Sequence, residues 1–289
     1  MISICIPTWN EEKSIARCIR AVLRQISLED EIVVVASGCI DNTISEIKSL
    51  CKTDKRIRLI VEKERNGKAS AINLAIKAAK GEIIIQLDGD VFIDPGAVSS
   101  LFKHFEDQKV GAVSGNPVPI IPEDNLFSEW TKMSYRKASE LREQQSMAGT
   151  FSHLCGYLLA FRKSAITEVP FAKGAVDAVM GKIIKENGYK LVYEPNAKVH
   201  VKAPTNVHDF LAQKARVRAG FLLMPSGGPR TIGREVLWFP RELLRVPVSK
   251  WPKFIISGFV YLWSWGRGWW YAKTNKSLNQ IWQTPISTK

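Results

Sequence analysis

Acidic residues are scarce in the last third of this 289-residue chain. From residue 201 onward, fourteen Lys and Arg are answered only by Asp209, Glu235 and Glu242, so most of the formal charge of +13 lies in this stretch. Cysteines are few and scattered. Cys5, Cys18, Cys39, Cys51 and Cys155 are odd in number with no close pair, which excludes a disulfide framework or a zinc site and leaves reduced, packed thiols. No basic segment leads into an apolar core at the start, where Ile2–Ile6 already reads as a buried strand, so no signal peptide is expected. Internal repeats and low-complexity tracts are absent. Long apolar runs are also lacking: thirteen uncharged residues separate Lys253 from Arg267. As a helix they reach about 20 Å, short of a ~30 Å hydrocarbon core. Tolerating Arg267 extends the run through Ala272, to about 28 Å.

What is present begins with alternation. Apolar runs at Ile2–Ile6, Glu31–Val35, Arg56–Val61, Glu82–Leu87 and Gly111–Ser114 are rich in Ile and Val. Glu11–Gln25, Asp41–Cys51, Lys68–Lys80 and Pro95–Phe105 carry helical spacing between them. Repeated strand–helix units predict an α/β fold, a mostly parallel sheet with helices on both faces. Further on, Leu126–Gln145 reads as a helix, Leu154–Phe161 as a strand, 176–187 as a helix, Leu191–Glu194 as a strand and Val207–Met224 as a helix. Pro225-Ser226-Gly227-Gly228-Pro229 reads as a lid-like loop.

Ligands of parallel sheets bind beyond the carboxyl ends of the strands. There the first strand runs into Pro7-Thr8-Trp9-Asn10-Glu11-Glu12 and the second into Ala36-Ser37-Gly38-Cys39-Ile40-Asp41. Arg65-Asn66-Gly67-Lys68 precedes the third helix, and the fourth strand ends in Asp88-Gly89-Asp90. Two carboxylates flanking a glycine repel unless a cation lies between them, and hard oxygens suit Mg²⁺ or Mn²⁺. An Asp-x-Asp alone is more often a capped turn. Its strand context and the three neighbouring loops turn the reading toward a metal-bridged diphosphate.

In this order the elements resemble glycosyltransferase family 2, with the GT-A fold, over roughly residues 2–220. Pro7–Glu12 resembles the family's opening motif with Trp9 in the usual Tyr place. Asn66–Asn73 resembles its Gly-Lys element, Asp88 and Asp90 its metal motif, Val176-Asp177 its acidic pair, and Gln213–Val217 the signature of its polysaccharide-synthase branch. The resemblance implies an inverting hexosyl transfer with Asp177 as general base; N-capping of the 176–187 helix is the competing role for this residue. It further implies a nucleotide-sugar subsite from Pro7, Thr8, Trp9, Glu11, Ser37, Asp41, Lys68, Asp88, Gly89, Gln213 and Arg216, and a metal shell from Asp88, Asp90 and His200. Arg216 also reads as part of a solvated helix face. Three departures stand out: no Asp stands near Ala36-Ser37 to read the base, where only the Ser37 hydroxyl and Asp41 remain, the acidic pair is reduced to Val176-Asp177, and Val217 replaces a Trp. A uridine nucleotide and single-sugar transfer are the favoured expectations.

The basic tail holds seven of the nine tryptophans. Trp and Tyr favour the lipid–water interface, and each basic residue near an anionic leaflet contributes on the order of 1 kcal/mol. In-plane amphipathic segments are the first reading; a tilted span and plain coverage of the core are the others. The expected organisation is a GT-A domain over 1–224 (1–115 for the nucleotide-sugar, 116–224 for the acceptor) and a membrane-associating region over 225–289. Expected partners are a nucleotide-sugar, a polyprenyl-type lipid acceptor and an anionic membrane surface on the cytoplasmic side. Nucleic acid is not expected, because the crevice is acidic and no binding motif accompanies the charge. A sugar-phosphate nucleotidyltransferase is the alternative enzyme, although Pro7–Glu12 lacks the glycine such a loop needs. A processive synthase and a non-catalytic sugar-nucleotide binder complete the alternatives.

Overall fold

The computed structural model describes residues 1–170, 175–222 and 232–274, with Thr288. The expected lid-like loop at 225–229 and Trp282 lie outside the described residues. The chain forms two compact units, one built from most of residues 1–201 and one from Pro119–Ala138 and the chain from Lys202 onward.

The strands are β1 (Ile2–Thr8), β2 (Glu31–Ser37), β3 (Ile57–Glu62), β4 (Ile83–Leu87), β5 (Phe92–Ile93), β6 (Val110–Ile120), β7 (Leu158–Arg162) and β8 (Lys190–Lys202). They form one sheet in the order β3-β2-β1-β4-β7-β6-β8-β5. The helices of the first unit are α1 (Ile15–Leu23), α2 (Thr43–Thr53), α3 (Lys68–Ala78), α4 (Ala97–Phe102) and α6 (Val176–Glu186), while α5 (Ser128–Met147) runs from the second unit into the first. Every residue of β1, β2 and β4 is buried, as expected of parallel strands covered on both faces. Helix α1 buries Ile15, Cys18, Ile19 and Val22, a single helical face.

The sheet is mixed, which corrects the expectation of a mostly parallel one. β3, β2, β1 and β4 are parallel, but β7 runs antiparallel to β4 and to β6, and β5 antiparallel to β8. The antiparallel half lacks a strict strand–helix alternation, so its strands were partly hidden. The strand expected over Leu191–Glu194 is the start of β8, which continues for thirteen residues.

At the amino ends of the strands, buried carboxylates close the sheet. Asp30 accepts hydrogen bonds from Ile2 N–H at 2.7 Å and from Ser27 N–H and Oγ at 2.8 Å. Glu31 accepts from Ser3 Oγ at 2.8 Å, Lys80 N–H at 2.6 Å and Arg58 at 2.9 Å. Deeper in, Asn73 of α3 makes paired bonds with the backbone of Val169, donating to its C=O at 2.9 Å and accepting from its N–H at 2.7 Å.

The second unit contains α7 (Val207–Leu222), α8 (Ile232–Leu243) and α9 (Trp251–Lys273). Its core is aromatic. Phe127 stacks on Phe210 at 4.1 Å, and Trp130 lies 5.2 Å from both Phe254 and Tyr261. Small residues allow this packing: a Cβ on Gly258 would meet Trp130 at 2.9 Å, and one on Gly268 would meet the Ala215 carbonyl at 2.8 Å. Helix α7 packs with α9 rather than with the sheet, because its partner surface comes from the C-terminal residues. Among the described residues no helix is long and apolar enough to cross a membrane.

Burial acts to raise Asp30 and Glu31, but the hydrogen bonds they accept outweigh it and hold both below the usual carboxylate range. Their stabilisation is thus complete above the unfolded carboxyl values of about 4, and is lost as pH falls through the lower folded values. Thermal melting of Glu31→Gln is expected to fall below that of the native chain near neutral pH, the gap closing in acid. Asn73→Ala leaves a buried N–H and C=O unpaired and is expected to cost about 2–3 kcal/mol in urea denaturation.

Candidate active site

Parallel pairing of β1, β2, β3 and β4 brings their carboxyl ends to one edge, with Thr8 level with Ala36 and Ser37 level with Glu62. The loops that leave this edge are locked to one another. Asn10, in a left-handed conformation at φ 54°, accepts from Ile40 N–H at 2.9 Å. Glu11 N–H donates to Thr43 Oγ1 at 2.7 Å. Asp41 accepts from Thr43 N–H and Oγ1 with one oxygen, at 3.0 and 2.6 Å, and from Glu12 N–H with the other, at 3.2 Å. Asp41 Oδ2 thus joins the first loop to the second, while Oδ1 holds the start of α2. Ser37 donates to the Glu64 carbonyl at 3.4 Å.

Asp88 follows β4 directly and receives Lys68 Nζ at 2.5 Å. Lys68 stands at the start of α3, behind Gly67 at φ 89°. It also donates to the Gly156 carbonyl at 3.2 Å, which Gln86 Nε2 meets at 3.2 Å. Gly156 N–H then donates to Asp177 Oδ2 at 2.9 Å. One residue therefore ties Asp88 and Lys68 to Asp177, the residue expected to act as base. Asp177 lies in the first turn of α6, and its Oδ1 accepts from Ala178 N–H at 3.1 Å. It has both the helix-start contact and the place in the cluster.

Electrostatics follow from this crowding. Burial, with Asp177 adding repulsion, pushes the Asp88 carboxyl above its usual range against the attraction of Lys68. Burial alone would lower Lys68, yet Asp88, Asp177 and Asp90 together raise it. Gly89 is required between the carboxylates, since a Cβ would come within 2.8 Å of Thr8 Oγ1. That hydroxyl is buried and has no hydrogen-bond partner among the described residues.

Trp9 carries the Arg65 guanidinium over its ring, 3.5 Å from the centroid. Burial lowers the Arg65 pKa. Gly38, at φ 61°, makes the contact possible, because a Cβ would lie 2.6 Å from Arg65 N. Arg65, Gln86 and Gly156 were absent from the sequence-derived set. The polar loop before α3 held the signal for Arg65, whereas nothing local marks Gln86 or Gly156. His200 sits on β8 opposite Phe92, with Nε2 2.6 Å from Asp94 Oδ1. Gln213 and Arg216 stand on α7 in the second unit, with Gln213 buried.

Among the described residues no three His, Cys, Asp or Glu side chains converge as a metal cage. Asp90 and Asp88 are the residues that would hold a divalent cation, and hard carboxylate oxygens suit Mg²⁺ or Mn²⁺. The unsatisfied Thr8 hydroxyl beside Gly89 marks the same spot as one awaiting a polar ligand.

The mixed sheet and the acidic strand-end cluster define a GT-A type transferase fold. The model of Glycosyl transferase family 2 matches residues 3–169, and the chain belongs to this family. It is 26% identical over 224 residues to a poly-beta-1,6-N-acetyl-D-glucosamine synthase of Staphylococcus aureus, covering 76% of this chain and 54% of the relative. The Staphylococcus epidermidis protein of the same name is 27% identical over the same length. The chain thus spans about half the length of these relatives. In fold it is similar to a mannosyltransferase of Pyrobaculum calidifontis solved with GDP-Man and Mn²⁺, with a TM-score of 0.65 at 22% identity over 99% of this chain and 84% of that one. It is also similar to S. aureus TarS solved with UDP-GlcNAc, with a TM-score of 0.51 at 16% identity over 97% and 89%. Membership in the family sets the nucleotidyltransferase alternative aside.

A Cβ on Gly156 would press within 3.1 Å of Asp177 Oδ2. Gly156→Ala is therefore expected to reduce glycosyl transfer on the order of 10-fold to 100-fold, with the melting curve of the native chain retained. Initial rates alongside thermal melts check this.

Proposed function

We propose that the chain transfers a sugar from a nucleoside-diphosphate donor to a membrane-borne, lipid-linked acceptor with inversion at the anomeric carbon. The observation that carries this reading is the link from Asp88 through Lys68 and Gly156 to Asp177. It sets an acidic donor-side group and a carboxylate base in one rigid cluster. Asp177 takes the proton of the acceptor hydroxyl as its oxygen attacks the anomeric carbon from the face opposite the leaving group. The bond from that carbon to the diphosphate breaks, and the electron pair leaves with the diphosphate. A divalent cation held by Asp90 and Asp88 would neutralise charge on that leaving group. Lys68 keeps Asp88 in place through its ammonium group. The motif, rather than geometry, assigns Gln213 and Arg216 to the diphosphate.

Trp9 and Arg65 form the base subsite. Arg65 supplies donors where no Asp stands beside Ala36-Ser37, and both uracil and guanine offer it carbonyl oxygens. A UDP-sugar is the first donor to test, beside GDP-mannose. The name of the staphylococcal relatives supports a second reading, a processive polysaccharide synthase.

The membrane is proposed from α9. Its outward face carries Ile256, Phe259, Leu262, Trp263, Trp269 and Trp270, with Phe259 68% and Trp263 67% exposed. Its inward face includes Ser257, Gly258, Ser264 and Gly268. Helix α9 holds no acidic residue, and Lys253 and Lys273 lie near its ends. An apolar outer face with basic flanks suits in-plane docking on an anionic leaflet, here assigned to the cytoplasmic side.

The test is incorporation of label from UDP- and GDP-sugars by membranes containing the chain, with Mn²⁺ present. Label is expected in the lipid-extractable phase. Asp177→Asn is expected to reduce it by about 10²–10⁴-fold; retained activity in this variant would remove Asp177 as base. Label in long polymer alone would favour the processive reading.

A further inference from the structure

The bond from Gly156 to Asp177 depends on a backbone that glycine alone does not fix. A Cβ there would crowd Asp177 Oδ2 at 3.1 Å, which favours glycine, yet glycine has the freest backbone of any residue. The direction of its N–H, 2.9 Å from Asp177, is therefore set by hydrogen bonds to its neighbours. On the amino side, Cys155 N–H donates to Ser114 Oγ at 2.9 Å. On the carboxyl side, the Tyr157 carbonyl accepts from Asp88 N–H at 3.3 Å. The Gly156 carbonyl itself takes two donors, Lys68 Nζ and Gln86 Nε2, each at 3.2 Å.

The two donors are not equivalent. Lys68 ends a flexible stem and answers chiefly to charge: Asp88 holds its ammonium at 2.5 Å, and Asp177 and Asp90 attract it as well. A cation or diphosphate arriving at Asp88 changes that balance. Gln86 is uncharged, pairs with Cys5 of β1 and Leu159 of β7, and is 1% exposed. All other residues of β4 are Ile or Leu.

The amide also runs against stability. A carbonyl oxygen only accepts, so Gln86 must present its NH2 group to Gly156 and turn Oε1 away. Oε1 is buried with no hydrogen-bond partner among the described residues. An unmet buried oxygen is destabilising, and an apolar side chain of similar size would avoid it. A local rule broken at this place points to a role in the site.

We infer that Gln86 is a positioning residue for the transfer step. Its amide holds the Gly156 carbonyl, so that Gly156 N–H keeps the Asp177 carboxylate aimed at the acceptor hydroxyl. The inference rests on Asp177 as base and adds the group that steadies it while Lys68 responds to charge at Asp88.

The test is a double-substitution cycle on the full chain in membranes, with UDP-sugars and GDP-mannose as donors and Mn²⁺ present. Gln86→Met keeps the volume and removes both the N–H donor and the unmet oxygen. It is expected to melt no lower than the native chain, while kcat falls about 10-fold and donor KM is unchanged. In the Asp177→Asn background the same substitution is expected to change kcat by less than about 2-fold, because its route to the reaction is already gone. Without donor, hydrogen exchange at Gly156 is expected to be at least about 10-fold faster in Gln86→Met. Gln86→Asn, whose amide is one methylene short of Gly156, is expected to lose kcat equally and serves if Met is not tolerated. Full kcat in both variants would overturn the inference, as would an equal loss in both Asp177 backgrounds. A raised donor KM with kcat kept would overturn it too, placing Gln86 with the donor groups Lys68 and Asp88. In these three cases the base assignment stands, provided Asp177→Asn alone is strongly impaired. Retained activity in that variant removes the base and the inference with it.

Discussion

Lys68 sits within the electrostatic reach of three carboxylates, Asp88, Asp90 and Asp177, and its ammonium is what allows them to share one strand edge. Like charges this close repel strongly where water is thinned, and neither desolvation nor repulsion is tolerable without a counter-ion. Lys68 can serve because α3 begins at the same edge as β4 ends, with Gly67 supplying the left-handed turn that aims the helix start inward. Gly156 extends the arrangement to Asp177 through its own backbone. The rest of the first unit keeps these few groups in register: buried parallel strands below, and loops cross-tied by Asn10, Asp41 and Thr43 above.

The second unit follows a different physical logic. Its interior is built from aromatic rings, whereas small residues on α9 let helices approach closely. Large apolar side chains on that helix are left outside. Such a distribution is costly in water and favourable where another apolar phase covers it. Basic residues are frequent in the same unit, and buried Glu242 gathers Arg136, Lys137 and Arg245.

Several motif residues prove to have structural duties that their motifs did not announce. Asn73, part of the family's Gly-Lys element, bridges to Val169 across the core. Asp41 binds two loops together. His200 engages Asp94. Each is polar, and only its neighbours in space distinguish holding the scaffold from holding a ligand.

The sequence by itself determined the parallel half of the sheet, the edge at which the site forms, and the carboxylates and lysine that gather there. Ile- and Val-rich runs with helical spacing between them are local signals, and a parallel sheet collects its strand ends on one side by geometry alone. The tertiary structure decided the antiparallel half, the transfer of α7 to the C-terminal unit, the stacking of Arg65 on Trp9, and the bridge through Gly156. These depend on contacts between residues far apart in the chain, and nothing in their local composition encodes which distant partner they will meet.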